Sequence, residues 1–396
     1  MKKKVMAVAV AGALAAPALA FAQASTVQLY GYVNAEYGSA KGLSRAAGKT
    51  NSWDGLNSGA SYLGFKGEEK LGGSMSAFFQ CESDLGFLKG DQTESTTLHP
   101  ATQGGWCSRN SAVGLKGVWG SFYVGSWDSP MKRAVGSVRI VGETGWHGVQ
   151  SLLISNGGGF VGSFSVRNSN SINWDSPNWN GFSAAIQTTS TKAASTTATA
   201  GLKGRHTSFS GQYASGPFMV VGAYAVADDN RSTATVAGIA TGSTAVGANG
   251  AKDKAWMVGG AYTWGPAKVA LMYIDAEATA APVGAATSEV SRKSWNLAGT
   301  YNFGGPHSML AGYTVAGDAR WTGTGAAPAG TGNDTGAKEW MVGYQYALSK
   351  RTTAGVTYAR VSNDNNATGY TVGAQSSSVL AGSNSSVVIG RLQHTF

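Results

Sequence analysis

From Lys254 to Trp264 the chain places Trp256, Val258, Gly260, Tyr262 and Trp264 on one face and Ala255, Met257, Gly259, Ala261 and Thr263 on the other. A strict period of two marks a strand, because successive side chains project to opposite faces. Trp295 to Phe303 repeats the pattern with Trp295, Leu297, Gly299, Tyr301 and Phe303 opposite Asn296, Ala298, Thr300 and Asn302. Glu339 to Tyr346 sets Trp340, Val342, Tyr344 and Tyr346 against Glu339, Met341, Gly343 and Gln345. Each apolar row begins and ends in an aromatic residue. At ~3.4 Å per residue and a tilt of ~40°, an eight-residue spacing puts those aromatics roughly 21 Å apart along a barrel axis, which fits the ~25 Å apolar band between two aromatic girdles of a transmembrane barrel. The competing arrangement is a soluble β-sandwich whose aromatics fill a core.

The connections alternate in length. Short joints are expected near Glu69–Gly73, Val118–Gly120, Ser176–Gly181, Ser215–Pro217, Gly265–Pro266, Gly304–Pro306 and Leu348–Lys350. Longer segments of small and polar residues, such as Ala234–Gly250, Thr322–Gly336 and Asn363–Ser386, read as solvated loops. Counting between joints gives about sixteen strands. Short turns on a periplasmic rim and long loops on an extracellular rim are what outer-membrane barrels use. The last strand, Ser386 to Phe396, has Val388, Gly390, Leu392, His394 and Phe396 on one face, with Arg391, Gln393 and Thr395 on the other.

Composition narrows the choice. The 396 residues include 57 glycines and only 13% charged residues, with a formal net charge of +9. Charge at about half the usual ~25% and glycine near twice the usual ~7% exclude an ordinary soluble enzyme and a disordered charged chain. Lys2, Lys3 and Lys4 precede an apolar run from Val5 that closes on Ala20-Phe21-Ala22. This is the pattern of a secretory signal, so residues 1–22 are expected to be removed and residues 23–396 to form one barrel domain. A retained anchor is the alternative, although the run is Ala-rich and short for a spanning helix. No later apolar run approaches that length.

Cys81 and Cys107 bracket a long loop, the first expected to end one strand and the second to open the next. Neighbouring antiparallel strands bring such positions within reach of each other in an oxidising compartment, so a Cys81–Cys107 disulfide is expected. Other chemistry is sparse. Gly157 to Gly162 satisfies GxGxxG without a βαβ context, and Gly48-Lys49-Thr50 lacks the first glycine of a phosphate loop. The five histidines are scattered. No catalytic residue, cofactor, metal site or nucleic-acid partner is expected.

Several stretches carry a family resemblance: Leu29-Tyr30-Gly31, SYLGFKGEEKLGGSMSAFFQCESDL from Ser61, SRNSAVGLKGVWGSFYVGSWDSP from Ser108, NSINWDSPNWNGFSAAIQ from Asn170, and the terminal GRLQHTF. In these the chain resembles a Gram-negative general diffusion porin of the beta-proteobacterial type, as in Neisseria and Bordetella-like bacteria. The resemblance implies an all-β, sixteen-stranded antiparallel transmembrane barrel in outer-membrane lipid. It also implies a homotrimer, assembly through barrel-assembly machinery that engages the strand ending in Phe396, and a third extracellular loop, about Asp128 to Val166, folded into the lumen. Small hydrophilic solutes and ions would cross a constriction where a basic wall faces acidic groups on that loop; charges lining a narrow passage set ion preference.

Carried over residue by residue, the pattern is incomplete. Arg109 matches a wall arginine, whereas Tyr62 and Ser126 stand where arginine is usual. A frequent basic position falls on Ile172 or Asn173, with Arg167 shortly before. Asp128 and Glu143 would supply negative charge on the loop, and Lys132, Arg133 and Arg139 positive charge. Trp146 and His147 would narrow the passage or bind an aromatic solute, although such a pair more often anchors a folded-in loop. The expectation is a weakly selective pore leaning to anions. Two alternatives stay open: a substrate-specific channel on the same fold, and an outer-membrane enzyme or adhesin built on a barrel, for which no catalytic motif speaks.

Overall fold

A computed structural model describes residues 27–42, 52–88, 105–140, 164–189, 205–228, 252–280, 288–323, 331–367, 370–372 and 381–396. Residues 1–22, Ala234–Gly250, Glu143, Trp146, His147 and the two glycine motifs fall outside them. In chain order the strands are β1 (Gln28–Lys41), β2 (Ser52–Asn57 and Tyr62–Gly72), β3 (Met75–Asp84), β4 (Ser111–Gly117), β5 (Gly120–Asp128), β6 (Arg167–Asp175), β7 (Phe182–Thr189) and β8 (Arg205–Ser215). They continue as β9 (Phe218–Asp228), β10 (Lys252–Trp264), β11 (Ala267–Ala280), β12 (Ser288–Gly304), β13 (His307–Ala316 and Arg320–Thr322), β14 (Ala337–Ala347), β15 (Thr352–Asn363) and β16 (Asn384–Thr395). One helix, α1 (Pro130–Val138), follows β5.

Two walls are each built from a strand in two pieces. Both pieces of β2 pair with β1, and both pieces of β13 pair with β12. The break in β2 is held by Asn34, whose backbone N donates to Ser61 Oγ at 2.9 Å and whose Nδ2 donates to Gly59 O at 3.1 Å. Every strand is antiparallel to its sequence neighbour, and β1 pairs with β16 from Tyr32↔Thr395 to Lys41↔Ser386. The sheet is therefore a closed sixteen-stranded barrel with no free edge.

The two faces of each strand differ as the alternation requires. Val258 and Leu271 are 46% and 55% exposed, whereas Met257 and Met272 beside them are 2% and 0% exposed. Large apolar side chains point outward around the whole ring, which water would penalise and a bilayer favours. Outward aromatics pair at two levels: Trp256–Tyr273, Trp295–Tyr313 and Trp340–Tyr358 at one, Phe218–Tyr262 and Tyr301–Phe303 at the other. A closed ring with an apolar exterior rules out the soluble sandwich.

The interior is less polar than the strand pattern suggests. Val221, Ala223, Ala255, Met257, Met272 and Ile274 form an apolar inner wall on β9–β11, and α1 packs on it through Met131, Ala134, Val135 and Val138. Small residues there leave room for the helix. Gly259 is the closest approach, since a Cβ on it would lie 2.9 Å from Val138 Cγ2. A second apolar cluster joins β13–β16 to Ala367, Tyr370 and Val372, so the Asn363–Ser386 segment is not simply solvated: among its described residues these three side chains lie buried. Burial pushes the Tyr370 phenol up, and Arg292 Nη1 donates to its hydroxyl at 2.7 Å.

Cys81 and Cys107 form a disulfide with Cα atoms 4.6 Å apart. Cys81 lies within β3, opposite Phe65 of β2. Cys107 does not open a strand. It occupies a turn before β4 at φ 61°, with its N donating to Ser83 Oγ at 2.9 Å. For a sequence separation of 26, chain-entropy reasoning gives about 3.5 kcal/mol of stabilisation. Replacing both cysteines with serine is expected to lower the urea midpoint of the purified barrel accordingly; an unchanged midpoint would show that the bridge only tethers the loop.

Candidate pore constriction

The helix that enters the barrel is specified locally. Ser129 caps it, accepting from Lys132 N at 3.2 Å, and Pro130 occupies the first turn, where its missing N–H costs nothing. Apolar residues at 131, 134, 135 and 138 form one stripe, which faces the β8–β11 wall. Met131 N donates to Ser208 Oγ of β8 at 3.0 Å. Just beyond the helix, Ile140 packs against both apolar clusters. The described segment from Pro130 to Ile140 thus lies inside the ring, packed along the inner face of the β8–β11 wall.

The polar face of α1 turns to β5 and β6. Arg133 makes a bidentate pair with Asp175 at 2.8 and 2.9 Å, and Tyr123 donates to the same carboxylate at 3.0 Å. Lys132 and Arg167 each lie 3.0 Å from Asp128 Oδ1, while Asn110 donates to Asp128 Oδ2 at 3.2 Å. Next along the wall, Arg109 pairs with Glu82 at 2.6 Å and Asp84 at 2.8 Å. Its guanidinium lies 5.0 Å over the Tyr62 ring, and Tyr30 donates to Glu82 at 3.2 Å. Burial opposes the charge on Arg109 and Arg133, yet the carboxylates bonded to each raise both pKa values above the ordinary arginine range. Both cations stay charged at any working pH.

Of the residues expected from sequence, Arg109 and Tyr62 come together in one cluster, and Asp128 and Arg167 in the next. Arg139 ends α1, where its N donates to Val135 O at 3.1 Å. Ser126 continues the outward row of Phe122 and Val124 and pairs with Ser111. Asn173 is buried inside the wall, whereas Ile172 is exposed outside it. Glu82, Asp84 and Asp175 escaped sequence reasoning as partners of the basic residues. The signal available was their place on inward rows, Glu82 after Phe78 and Gln80, and Asp175 after Ser171 and Asn173.

Among the described residues around α1 and the adjoining wall, five basic side chains (Arg109, Lys132, Arg133, Arg139, Arg167) stand with four acidic ones (Glu82, Asp84, Asp128, Asp175). Arg133 sits on the loop and Asp175 on the wall, the reverse of the polarity that the resemblance implies.

A family model described as Gram-negative porin matches residues 7–366. Among curated proteins, the major outer membrane protein P.IB of Neisseria gonorrhoeae is 29% identical over 192 residues, 47% of this chain and 48% of that protein. Its counterpart from Neisseria meningitidis serogroup B is 30% identical over 135 residues, 33% of this chain and 35% of that protein. The chain spans about half the length, or less, of the curated relatives it matches. Among solved structures, the anion-selective porin from Comamonas acidovorans superposes with TM-score 0.72 at 23% identity, covering 94% of this chain and all of that one. OmpT of Vibrio cholerae superposes with TM-score 0.64 at 16% identity, covering 94% and 98%. Both show the same fold.

Proposed function

This chain belongs to the Gram-negative porin family and resides in the outer membrane, and from that premise we propose that it forms a water-filled channel for passive diffusion of small hydrophilic solutes and ions, leaning weakly to anions. The observation that carries the reading is the segment from Pro130 to Ile140, which packs on the inner wall of a closed barrel and leaves its charged face toward β5 and β6. Paired charges of near-equal number make a steep local field but a small net potential, so selectivity is weak. The anion-selective porin from Comamonas acidovorans, which shares the fold, supports the anion lean. Nothing in this function involves turnover or a cofactor.

Arg109, Tyr62, Asp128, Arg139 and Arg167 are the constriction residues of this proposal, with Lys132 and Arg133 added on α1. Ser126, on the outward row, has no part in it, and Glu143 falls outside the described residues. The mature chain is proposed to begin after Ala22, to be inserted through the strand ending in Phe396, and to assemble as a homotrimer; a neighbour from Vibrio cholerae is described in a trimer form.

The test is the reversal potential of the purified protein in a planar bilayer under a salt gradient. Arg109→Ala leaves Glu82 and Asp84 without their guanidinium, so the potential is expected to move toward cation preference while ohmic current persists. Current with an unmoved potential would remove Arg109 from the constriction, and stable insertion without current would end the channel reading.

A further inference from the structure

On the short-turn side of the Arg133–Asp175 pair, the inner wall of β2–β5 forms a half-open recess of about 450 Å³ that the diffusion reading does not use. Its lining combines two chemistries. Phe78 and Trp127 are partly exposed rings held in place by Tyr123 between them, with centroids 5.9 and 5.0 Å from Tyr123 and edge-on geometry at both contacts. Beside them stand two ammonium groups. Lys116 lies 4.5 Å over the Phe78 ring and 3.0 Å from Glu68. Lys66 makes no ion pair among the described residues and lies 5.0 Å over the Tyr30 ring. Glu68 is also shared with Lys70 at 3.1 Å, so this end of the wall carries more positive charge than it neutralises.

We propose that this cavity is a solute-binding site for small aromatic carboxylates, with the carboxylate on Lys66 and Lys116 and the ring against Phe78 and Trp127. The volume falls in the range of ligand pockets, which are apolar cavities with a few placed polar groups. A purely aliphatic anion would leave the rings in water, and a neutral aromatic would leave Lys66 uncompensated, so the two chemistries together select a molecule that carries both. The three aromatics lie on β3 and β5, walls whose registers are fixed through β4, so the site is preformed rather than assembled from a loop. The tyrosine hydroxyl is committed to Asp175 and does not compete for the ligand. A solute held here sits next to the passage beside Arg133 and obstructs ions that pass it.

The inference rests on the channel reading, and the experiment separates the two. Ohmic current in plain salt tests the channel; addition of benzoate, with acetate at the same concentration as control, tests the site. Benzoate is expected to reduce the current saturably, more effectively from the short-turn side, and acetate is expected to leave it unchanged. Lys66→Gln and Phe78→Leu are each expected to weaken the block about tenfold, the loss of one charge-assisted contact or of ring contact, with current in plain salt retained. Equal effects of benzoate and acetate, or a benzoate block that survives both substitutions, would overturn the proposal.

Discussion

Replacing Arg133 with glutamate is expected to reverse the sign of the reversal potential. The substitution changes the local charge by two units, turning five basic side chains against four acidic ones into four against five. A unit charge about 6 Å from a passing ion contributes about 0.7 kcal/mol in water, so two units amount to about 1.4 kcal/mol, roughly tenfold in the local population of either ion. Cations gain what anions lose, which doubles the effect on their ratio. Salt at ~0.1 M, with a Debye length near 10 Å, trims it without abolishing it, because the charge lines the passage itself. The introduced carboxylate also faces Asp175, and Arg133→Gln separates the two consequences: it removes the charge without the repulsion and should bring the potential close to zero. A reversal potential unchanged by both variants would mean that ions do not pass beside α1.

The second large effect is structural. Gly120→Val is expected to prevent formation of the heat-resistant barrel. Gly120 begins β5 after the tight turn through Val118 and Trp119, at φ 100°, where a side chain is strained whatever the space. A Cβ there would also overlap the carbonyl oxygen of Asp175 on β6, a contact only a shift of backbone relieves. Strain and overlap together cost about 3 to 5 kcal/mol, a large part of an ordinary domain's stability. Moving that strand end also moves Asp175 away from Arg133 and Tyr123. Gly73→Ala is the control, since Gly73 also has a positive φ, 57°, and nothing within 4 Å of the added Cβ. It should fold with a loss of about 1 kcal/mol. Equal damage from both substitutions would assign the effect to backbone conformation alone.

Much of the barrel is legible in the sequence where one face of a strand is uniformly apolar. Trp256 to Trp264 and Trp340 to Tyr346 declare their outward rows because lipid demands every second residue. Ala255, Met257 and Ala261 were harder to interpret, since an apolar inner row makes sense only once α1 is known to cover it. The helix had its own signal, Ser129-Pro130 followed by apolar positions 131, 134, 135 and 138, but nine residues between strands are easily absorbed into a loop. The ion-pair partners were not legible at all. Arg133 and Asp175 are 42 positions apart, and only the register of β5 on β6 together with the docking of α1 brings them into contact. Tyr370 shows the same limit: a mostly polar segment conceals a side chain that the structure buries.

The seam between β1 and β16 has a consequence for how the molecule comes into being. Every other wall contact joins neighbours along the chain, so fifteen of the sixteen junctions can form hairpin by hairpin as a growing meander. The last junction brings Tyr32 to Gln393, 361 positions away. By then the chain between them is already a folded meander, so closure requires the sheet to curl into a ring, and ten residue pairs along one strand are there to hold it. Until then two long apolar edges stay open to any other strand they meet. Ring closure joins the two ends of the sequence and removes both open edges at once, so an unclosed sheet is the form most exposed to misassembly.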